Sequence, residues 1–379
     1  MMVDSEFDLF KDNFRRFLNE HVAPHYEEWE KEKLIPKSLW KKLGDNGFLC
    51  VDVPEEYGGY GAPVHYSLML VEEAARAGFT SLAVGMGGQN ELVSPYLQNI
   101  GTEEQKKYWL PKMVSGDVIA AIAMTEPNAG SDLQAIRTEA ILNDDHYLVN
   151  GSKTFITNGQ NADLIVLVAK TDISARAKGI SILLVDANLS GVQRGRSLDK
   201  VGLHAQDTLE LFFDNVKVPK NQLLGEEGKG FTYLMQELPR ERLNIAIMGY
   251  GVILGAIEMT QKYVQERNVF GQPLSKLQNT RFKIAEAEIK ARACGAYVRE
   301  CLSLYQNNAL SVDSVAALKC FVTDTQCQVV DELLQLFGGY GYMKEYPISR
   351  LFIDSRVQKI YGGANEIMKE IVARELLGK

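Results

Sequence analysis

The residues that could do chemistry fall in five short stretches of the 379-residue chain. In Leu238-Pro239-Arg240-Glu241-Arg242-Leu243 a carboxylate stands between two arginines. The run that follows, Leu243 to Ile257, is apolar except at Asn244 and Tyr250. A helix apolar on every side belongs in a core, and Gly249, Gly251 and Gly255 mark places where backbones could pack closely. Pro239 lacks an N–H, so the carbonyl of Met235 loses its helical partner and the helix is expected to kink or start there. Taken alone, Glu241 is either a first-turn carboxylate favoured by the helix dipole and paired with its arginines or a catalytic base.

The other four stretches are equally double-edged. Ala123 to Ala135 ends a strand in a Gly-containing loop with the Thr125 and Ser131 hydroxyls. Its backbone N–H groups could hold an anion, although ordinary turns look the same. Lys153 to Gly159 either sets Phe155 and Thr157 against a planar ligand or is a plain strand with an Asn-Gly turn. Gln335 to Met343 is a Gly-rich break between helices, without the βαβ context of a dinucleotide fingerprint; a helix C-cap would read alike. Tyr361 to Ile367 is a turn into the last helix. There is no P-loop, GxSxG, HExxH or kinase set. The five histidines are scattered and lack metal-site spacing.

These stretches are positioned by three blocks. Residues 4 to 22 carry a helical stripe of Phe7, Phe10, Phe14, Phe17 and Leu18. Further helices fit 36–44, 64–78 and 84–99, and Thr102 to Gln105 reads as a capping box opening another. Strands fit Val118–Met124, Ile136–Leu142, His146–Asn150, Leu164–Ala169, Ile180–Val185, Thr208–Phe213 and Val216–Val218, a pattern suited to an antiparallel sandwich or barrel. Long helices fit 230–267, 275–307 and 311–337, with shorter ones at 348–359 and 363–377, as in a bundle. The expected domains are 1–116, 117–230 and 231–379, a multidomain α+β chain. A net charge of −8 argues against general nucleic-acid binding, and no apolar run reaches membrane-spanning length uninterrupted. Met1 to Glu6 is acidic, without a signal or transit pattern. The five cysteines (Cys50, Cys294, Cys301, Cys320, Cys327) form no CxxC and read as core thiols of a reducing compartment.

The order of these stretches resembles the acyl-CoA dehydrogenase family along essentially the whole chain. Two family signatures carry the likeness: Ala123 to Ala135, and Gln335 to Asp354 with Arg350 and Asp354 in register. The resemblance implies an N-terminal α-helical domain, a middle antiparallel β-barrel or sandwich, and a C-terminal four-helix bundle. It implies FAD, a homotetramer, and electron transfer to an electron-transferring flavoprotein, in the bacterial cytoplasm or the mitochondrial matrix. Ile122, Met124, Thr125, Gly130 and Ser131, with Phe155, Ile156 and Thr157, would hold flavin and pyrophosphate. Arg267, Phe270 and Gln278, with Gln335, Gly338 and Gly339, would reach the cofactor of a neighbouring subunit. Ala364, Asn365 and Glu366 would close the site, Ala364 and Val269 both standing where Thr is common. Ser131, Arg242, Tyr361, Gly362 and Gly363 would meet substrate.

Medium- and short-chain members carry the catalytic Glu at the position of Gly362. In the long-chain and isovaleryl branches the base comes instead from the long helix, at the position of Glu241. The resemblance therefore implies that Glu241 takes the α-proton of an acyl-CoA while the β-hydride passes to flavin N5. Gly362 N–H and a ribityl hydroxyl would polarise the thioester carbonyl. Pro239 is a plausible aiming device, and Gly362 is expected to leave room for a relocated carboxylate. Gln89 and Glu91 are expected to line and shorten the acyl pocket. The rival readings are an isovaleryl or branched-chain enzyme, a same-fold oxidase or monooxygenase, and a binding protein that has lost flavin. Thr125, Ser131, Thr157, Arg267 and Gln335 argue against the last.

Overall fold

The computed structural model describes residues 5–378; Met1 to Asp4, most of the acidic start, lie outside the described residues. The N-terminal block is helical: α1 (Ser5–Phe17), α2 (Tyr26–Glu32), α3 (Lys37–Asp45), α4 (Val64–Arg76), α5 (Thr80–Gly87), α6 (Ser94–Ile100) and α7 (Glu103–Val114). The capping box opens α7: Thr102 Oγ1 accepts from Gln105 N–H at 3.3 Å, and Thr102 N–H donates to Gln105 Oε1 at 3.0 Å. The segment read as one helix over 84–99 is two helices joined by a π-helical stretch, Gly88–Val93. Such a stretch inserts a residue and turns the side chains around it; here Gln89, Asn90 and Glu91 all face inward and are buried.

The middle block is one eight-stranded sheet. Its strands are β1 (Ala120–Ala123), β2 (Glu139–Asn143), β3 (His146–Thr157), β4 (Leu164–Lys170), β5 (Ile180–Asp186), β6 (Val192–Ser197), β7 (Thr208–Pro219) and β8 (Leu223–Leu224). They run in the order β6-β7-β3-β2-β4-β5-β8, with β1 beside β4. Most pairs are antiparallel as expected, but β1 and β2 both meet β4 in parallel. Two strands expected at 208–213 and 216–218 are a single bulged β7, continuous through Asn215 at φ +51°. β6, Val-Gln-Arg-Gly-Arg-Ser, was invisible because it is a polar edge strand. β4 is buried on both faces: Leu164, Val166 and Val168 pack towards Tyr96 and Trp109, and Ile165 and Leu167 towards Tyr147 and Leu211.

The C-terminal block begins with α8 (Gly230–Glu266), then a small hairpin of β9 (Asn268–Val269) and β10 (Gln272–Pro273). It continues as α9 (Gln278–Gln306), α10 (Val312–Leu334), α11 (Pro347–Ser355) and α12 (Asn365–Leu377). α8 is the organising rod. Cβ atoms at Gly251 and Gly255 would stand 2.4 and 2.1 Å from the carbonyl oxygens of Glu72 and Arg76, so the glycines let α8 and α4 touch backbone to backbone. Among the described residues α8 is the one helix long and apolar enough to cross a membrane, and most of that stretch is buried within the protein.

α8 does not start at Pro239. α8 runs helically from Gly230 through Pro239 to Glu266. The carbonyl that Pro239 strips of its donor belongs to Met235, in a stretch where Thr232, Met235 and Gln236 are exposed. Water can replace the missing partner there, which keeps the loss tolerable. The second signature contributes a structural pin. Asp354 Oδ1, buried on α11, accepts from Leu203 N–H at 2.5 Å, and Asp354 Oδ2 accepts from the Thr80 hydroxyl. One carboxylate thus joins all three blocks.

Candidate active site

Glu241 lies eleven residues into α8, too far from its N-terminus for the helix dipole to explain it. Its side chain is buried, and Tyr96 Oη donates to Oε1 at 3.1 Å. Burial pushes the Glu241 carboxyl up to about 7. The Tyr96 hydrogen bond and Arg242 pull the other way, and Glu237, one turn earlier, adds to the rise. A carboxyl poised near neutrality can hold a proton or release it, as a general base must.

Of the two flanking arginines, only Arg242 acts on the Glu241 charge. Arg240 turns to the N-terminal block, where Nε meets Glu91 at 2.9 Å and an Nη meets Asp52 at 2.7 Å. Burial opposes its charge, but Glu91 and Asp52 hold the guanidinium pKa above its ordinary value. Glu91 is therefore the counter-ion of Arg240, and Gln89 spends its amide on Met113 O, Val118 O and Ala120 N–H. Both are tied into the framework by these bonds. Arg242 is buried, its Nε has no partner, and burial lowers its pKa.

The turn before α12 packs on the same part of α8. Gly362 and Gly363 take φ +63° and +93°. Among the described residues no acceptor bonds the Gly362 N–H, which leaves it available as a donor. Arg242 Nη2 lies 3.9 Å from where a Gly363 Cβ would stand. Tyr361 Oη approaches Met248 Sδ at 3.7 Å. A Cβ at Gly362 would meet Ile245 Cδ1 at 2.2 Å and nothing else nearer than 3.7 Å, so the room there depends on the movable end of one side chain. Ile245 is one turn beyond Glu241, on the same face of α8. Asn365 points into the bundle, where its side chain bonds Lys319, Thr323 and Asp324.

The two β-block stretches come together. Thr154 N–H donates to Thr125 O at 2.9 Å, docking the Thr125–Ser131 loop on β3. Beneath it the fully buried Lys153 donates to Met124 O at 2.9 Å and to Glu126 Oε1 at 2.8 Å. A bulge in β3 between Lys153 and Ile156 sets Phe155 at φ +59° and turns its ring outward, 66% exposed. Ile122 and Met124 pack on the apolar cluster that contains Tyr96, linking this loop to the partner of Glu241.

A second site is an open groove of about 500 Å³ between the start of the hairpin and the Gly-rich break. Arg267, Gln335, Gly338 and Gly339 line it together. Arg267 lies 5.6 Å from the centre of the Tyr340 ring, and Tyr263 stacks on Phe337 at 4.2 Å. A Cβ at Gly338 or Gly339 would meet nothing within 4 Å. Phe270, at the hairpin tip and 94% exposed, and Gln278, the first residue of α9, stand outside this groove. Ala364 and Glu366 flank the buried Asn365 at the start of α12, and Glu366 is exposed.

Sequence reasoning missed Tyr96, Ile245 and Lys319. Tyr96 is 145 residues from its partner and carries no local signal. Lys319 did carry one: it is a lone cation in the apolar run Val315 to Val322.

Family models match three consecutive segments: the acyl-CoA dehydrogenase N-terminal domain at residues 4–117, the middle domain at 121–216 and the C-terminal domain at 228–377. The chain is 44% identical over 378 residues to the mitochondrial long-chain specific acyl-CoA dehydrogenase of Sus scrofa, covering 99% of this chain and 87% of that one. It is 33% identical to the mitochondrial isovaleryl-CoA dehydrogenase of Solanum tuberosum, covering 99% and 92%. A crystal structure of an acyl-CoA dehydrogenase from Geobacillus kaustophilus superposes with a TM-score of 0.97 at 47% identity, covering 100% and 99%. A buried near-neutral carboxyl opposite a glycine turn, and family matches from residue 4 to residue 377, lead to one statement: the chain belongs to the acyl-CoA dehydrogenase family of oxidoreductases.

Proposed function

We propose that this protein oxidises fatty acyl-CoA thioesters to trans-2-enoyl-CoA with Glu241 as the base, and that it belongs with the long-chain branch. The observation that carries the reading is the buried Glu241 carboxyl, raised to about 7, on a helix whose next turn touches Gly362. No carboxylate stands at Gly362, where most of the family's relatives by resemblance have theirs. The 44% identity to a long-chain enzyme supports the branch.

FAD fits the residues present. Gly338 and Gly339 leave an open floor in the groove beside Arg267, and the Thr125 and Ser131 hydroxyls sit on a docked loop beside the outward Phe155. Met124, Gly130, Ile156 and Thr157 would complete the flavin side. When bound, FAD supplies the acceptor for the β-hydride. The chain's own residues do the rest. Gly362 N–H donates to the thioester carbonyl and so acidifies the α-carbon. Glu241 takes the α-proton. Tyr96 fixes the carboxylate through Oε1, leaving Oε2 for the proton. Ile245, buried one turn beyond Glu241 on the same face of α8, excludes water beside it.

Our division at 116/117 and 230/231 puts the first cut between α7 and β1 and the second at the start of α8. We assign Arg267, Phe270 and Gln278, with Gln335, Gly338 and Gly339, to a neighbouring subunit's cofactor in a homotetramer, a reading the 94% exposure of Phe270 supports. Electron-transferring flavoprotein is the proposed acceptor. Anaerobic mixing with acyl-CoAs of graded length and branching tests the reading. Flavin bleaching fastest with long straight chains is expected. A preference for isovaleryl-CoA would move the protein to the branched reading, and fast reoxidation by oxygen with product bound would favour an oxidase.

A further inference from the structure

Lys319 is a fully buried ammonium in the middle of α10. Its Nζ donates to Gly363 O at 2.8 Å and to Asn365 Oδ1 at 2.9 Å, both neutral acceptors. Among the described residues no carboxylate pairs with it. Asp324 is nearby but is engaged by Lys359 at 2.6 Å and by Asn365 Nδ2 at 3.1 Å. Burial without a counter-ion is unfavourable for a cation, and it lowers the Lys319 pKa to about 8. An apolar side chain would suit this helix face better, so the ammonium calls for a reason other than packing.

The reason lies in what it holds. Both hydrogen bonds end on the segment that follows Gly362. The Gly363 carbonyl fixes one peptide plane of the turn. Asn365 fixes the start of α12, and is itself locked by donating to Thr323 Oγ1 at 3.0 Å. Thr323 Oγ1 in turn donates to Lys319 O at 2.8 Å, which closes the network on the same helix. Ile245 presses the other side of the turn at Gly362, and Arg242 lies against Gly363. Two glycines at positive φ have wide conformational freedom; Lys319, Ile245 and Arg242 each contact this turn.

We infer that Lys319 is a positioning residue of the carbonyl-polarising turn: through Gly363 O and Asn365 it aims the Gly362 N–H at the thioester and sets a positive charge behind the developing enolate. The inference rests on the reading of Gly362 and Glu241 given above. Preorganised donors and fixed charge of this kind act on the transition state more than on ground-state binding.

The test uses the full-length, FAD-loaded protein and an acyl-CoA whose β-carbon is fully substituted. Such a probe can exchange its α-protons in D2O but has no hydride to give. Lys319→Met is expected to keep FAD content and to change probe affinity less than about threefold, while α-exchange slows roughly 10- to 100-fold. The carbonyl stretch of the bound thioester should move back towards its free value, and Lys319→Arg should recover much of the loss. Wild-type exchange and an unmoved carbonyl band in folded Lys319→Met would overturn the inference. Should that variant not fold, Asn365→Ala removes one of the two Lys319 acceptors, together with the side chain's bonds to Thr323 and Asp324, and is expected to slow exchange about 3- to 10-fold; unchanged exchange there is equally fatal. Glu241→Gln serves as the control. If it exchanges at the wild-type rate, the reading of the base has failed; if it is silent while Lys319→Met is normal, only the role of Lys319 has.

Discussion

The middle of α8 and the groove beside the Gly-rich break differ in almost every physical respect. Around Glu241 the chain is closed: the carboxyl, Tyr96, Arg240, Glu91 and Ile245 are all buried, and Arg240 has two counter-ions. Around Arg267 and Gly338 it is open, with Gly338, Gly339 and Tyr340 exposed and nothing near where their glycine Cβ atoms would stand. A proton-transfer site gains from dryness, because burial is what lifts the carboxyl towards neutrality. A site for a large cofactor needs entry and backbone access instead. One region is finished by its own chain; the other is shaped to be finished by something else.

The strongest way to break this contrast is to move the base. Glu241→Gly with Gly362→Glu is expected to recover only a small part of flavin reduction, because Ile245 Cδ1 must turn aside to admit the new side chain and φ +63° strains an L-residue. Adding Ile245→Ala should recover flavin reduction by roughly tenfold or more over the double variant. Full recovery without the third change would show that the turn yields and that the closed picture is wrong.

The open groove makes the opposite demand. Gly338 sits at φ 57°, ψ −135°, a conformation all but reserved for glycine. Gly338→Val is expected to weaken FAD retention roughly tenfold, measured by equilibrium dialysis of the yellow protein, and to leave the surroundings of Glu241 unchanged.

The closed region was half legible in the sequence. Glu241 and Gly362 came from two motifs whose meaning depended on each other, and the apolar run marked a buried α8. What failed was geometry between motifs. Sequence adjacency put Arg240 beside Glu241, but successive helical residues point about 100° apart, and Arg240 went to Glu91 across the block. Pro239 read as a breaker because nothing local told that Met235 lies in a solvent-facing stretch. The π-helical stretch at Gly88–Val93, which carries Gln89 and Glu91 into the core, has no sequence signature. Strand β4 was legible because it is apolar throughout; β6 was not, because an edge strand has no core face to advertise.

Two smaller effects sharpen the account of Glu241. Its folded-state pKa of about 7 exceeds the ordinary 4.5, so the folded protein binds the proton more tightly than the unfolded chain. Stability from this group is full below about 4.5 and is lost as pH rises through about 7, by roughly 3 kcal/mol at most. Glu241→Gln should therefore raise the melting temperature more at pH 8 than at pH 5. A gain equal at both would place the carboxyl near its ordinary pKa. Smaller still is Tyr96→Phe. Removing a donor to the charged form raises the pKa of the base further, so the acid limb of kcat/KM should move to higher pH, with a loss of roughly two- to fivefold at pH 7.

In the proposed reaction one carboxylate, Glu241, takes the α-proton. Stopped-flow flavin reduction by a long-chain acyl-CoA in Glu241→Gln, at full FAD occupancy, tests it most directly. A fall of roughly 10²- to 10⁴-fold is expected with substrate affinity little changed. Reduction at the wild-type rate would contradict the account.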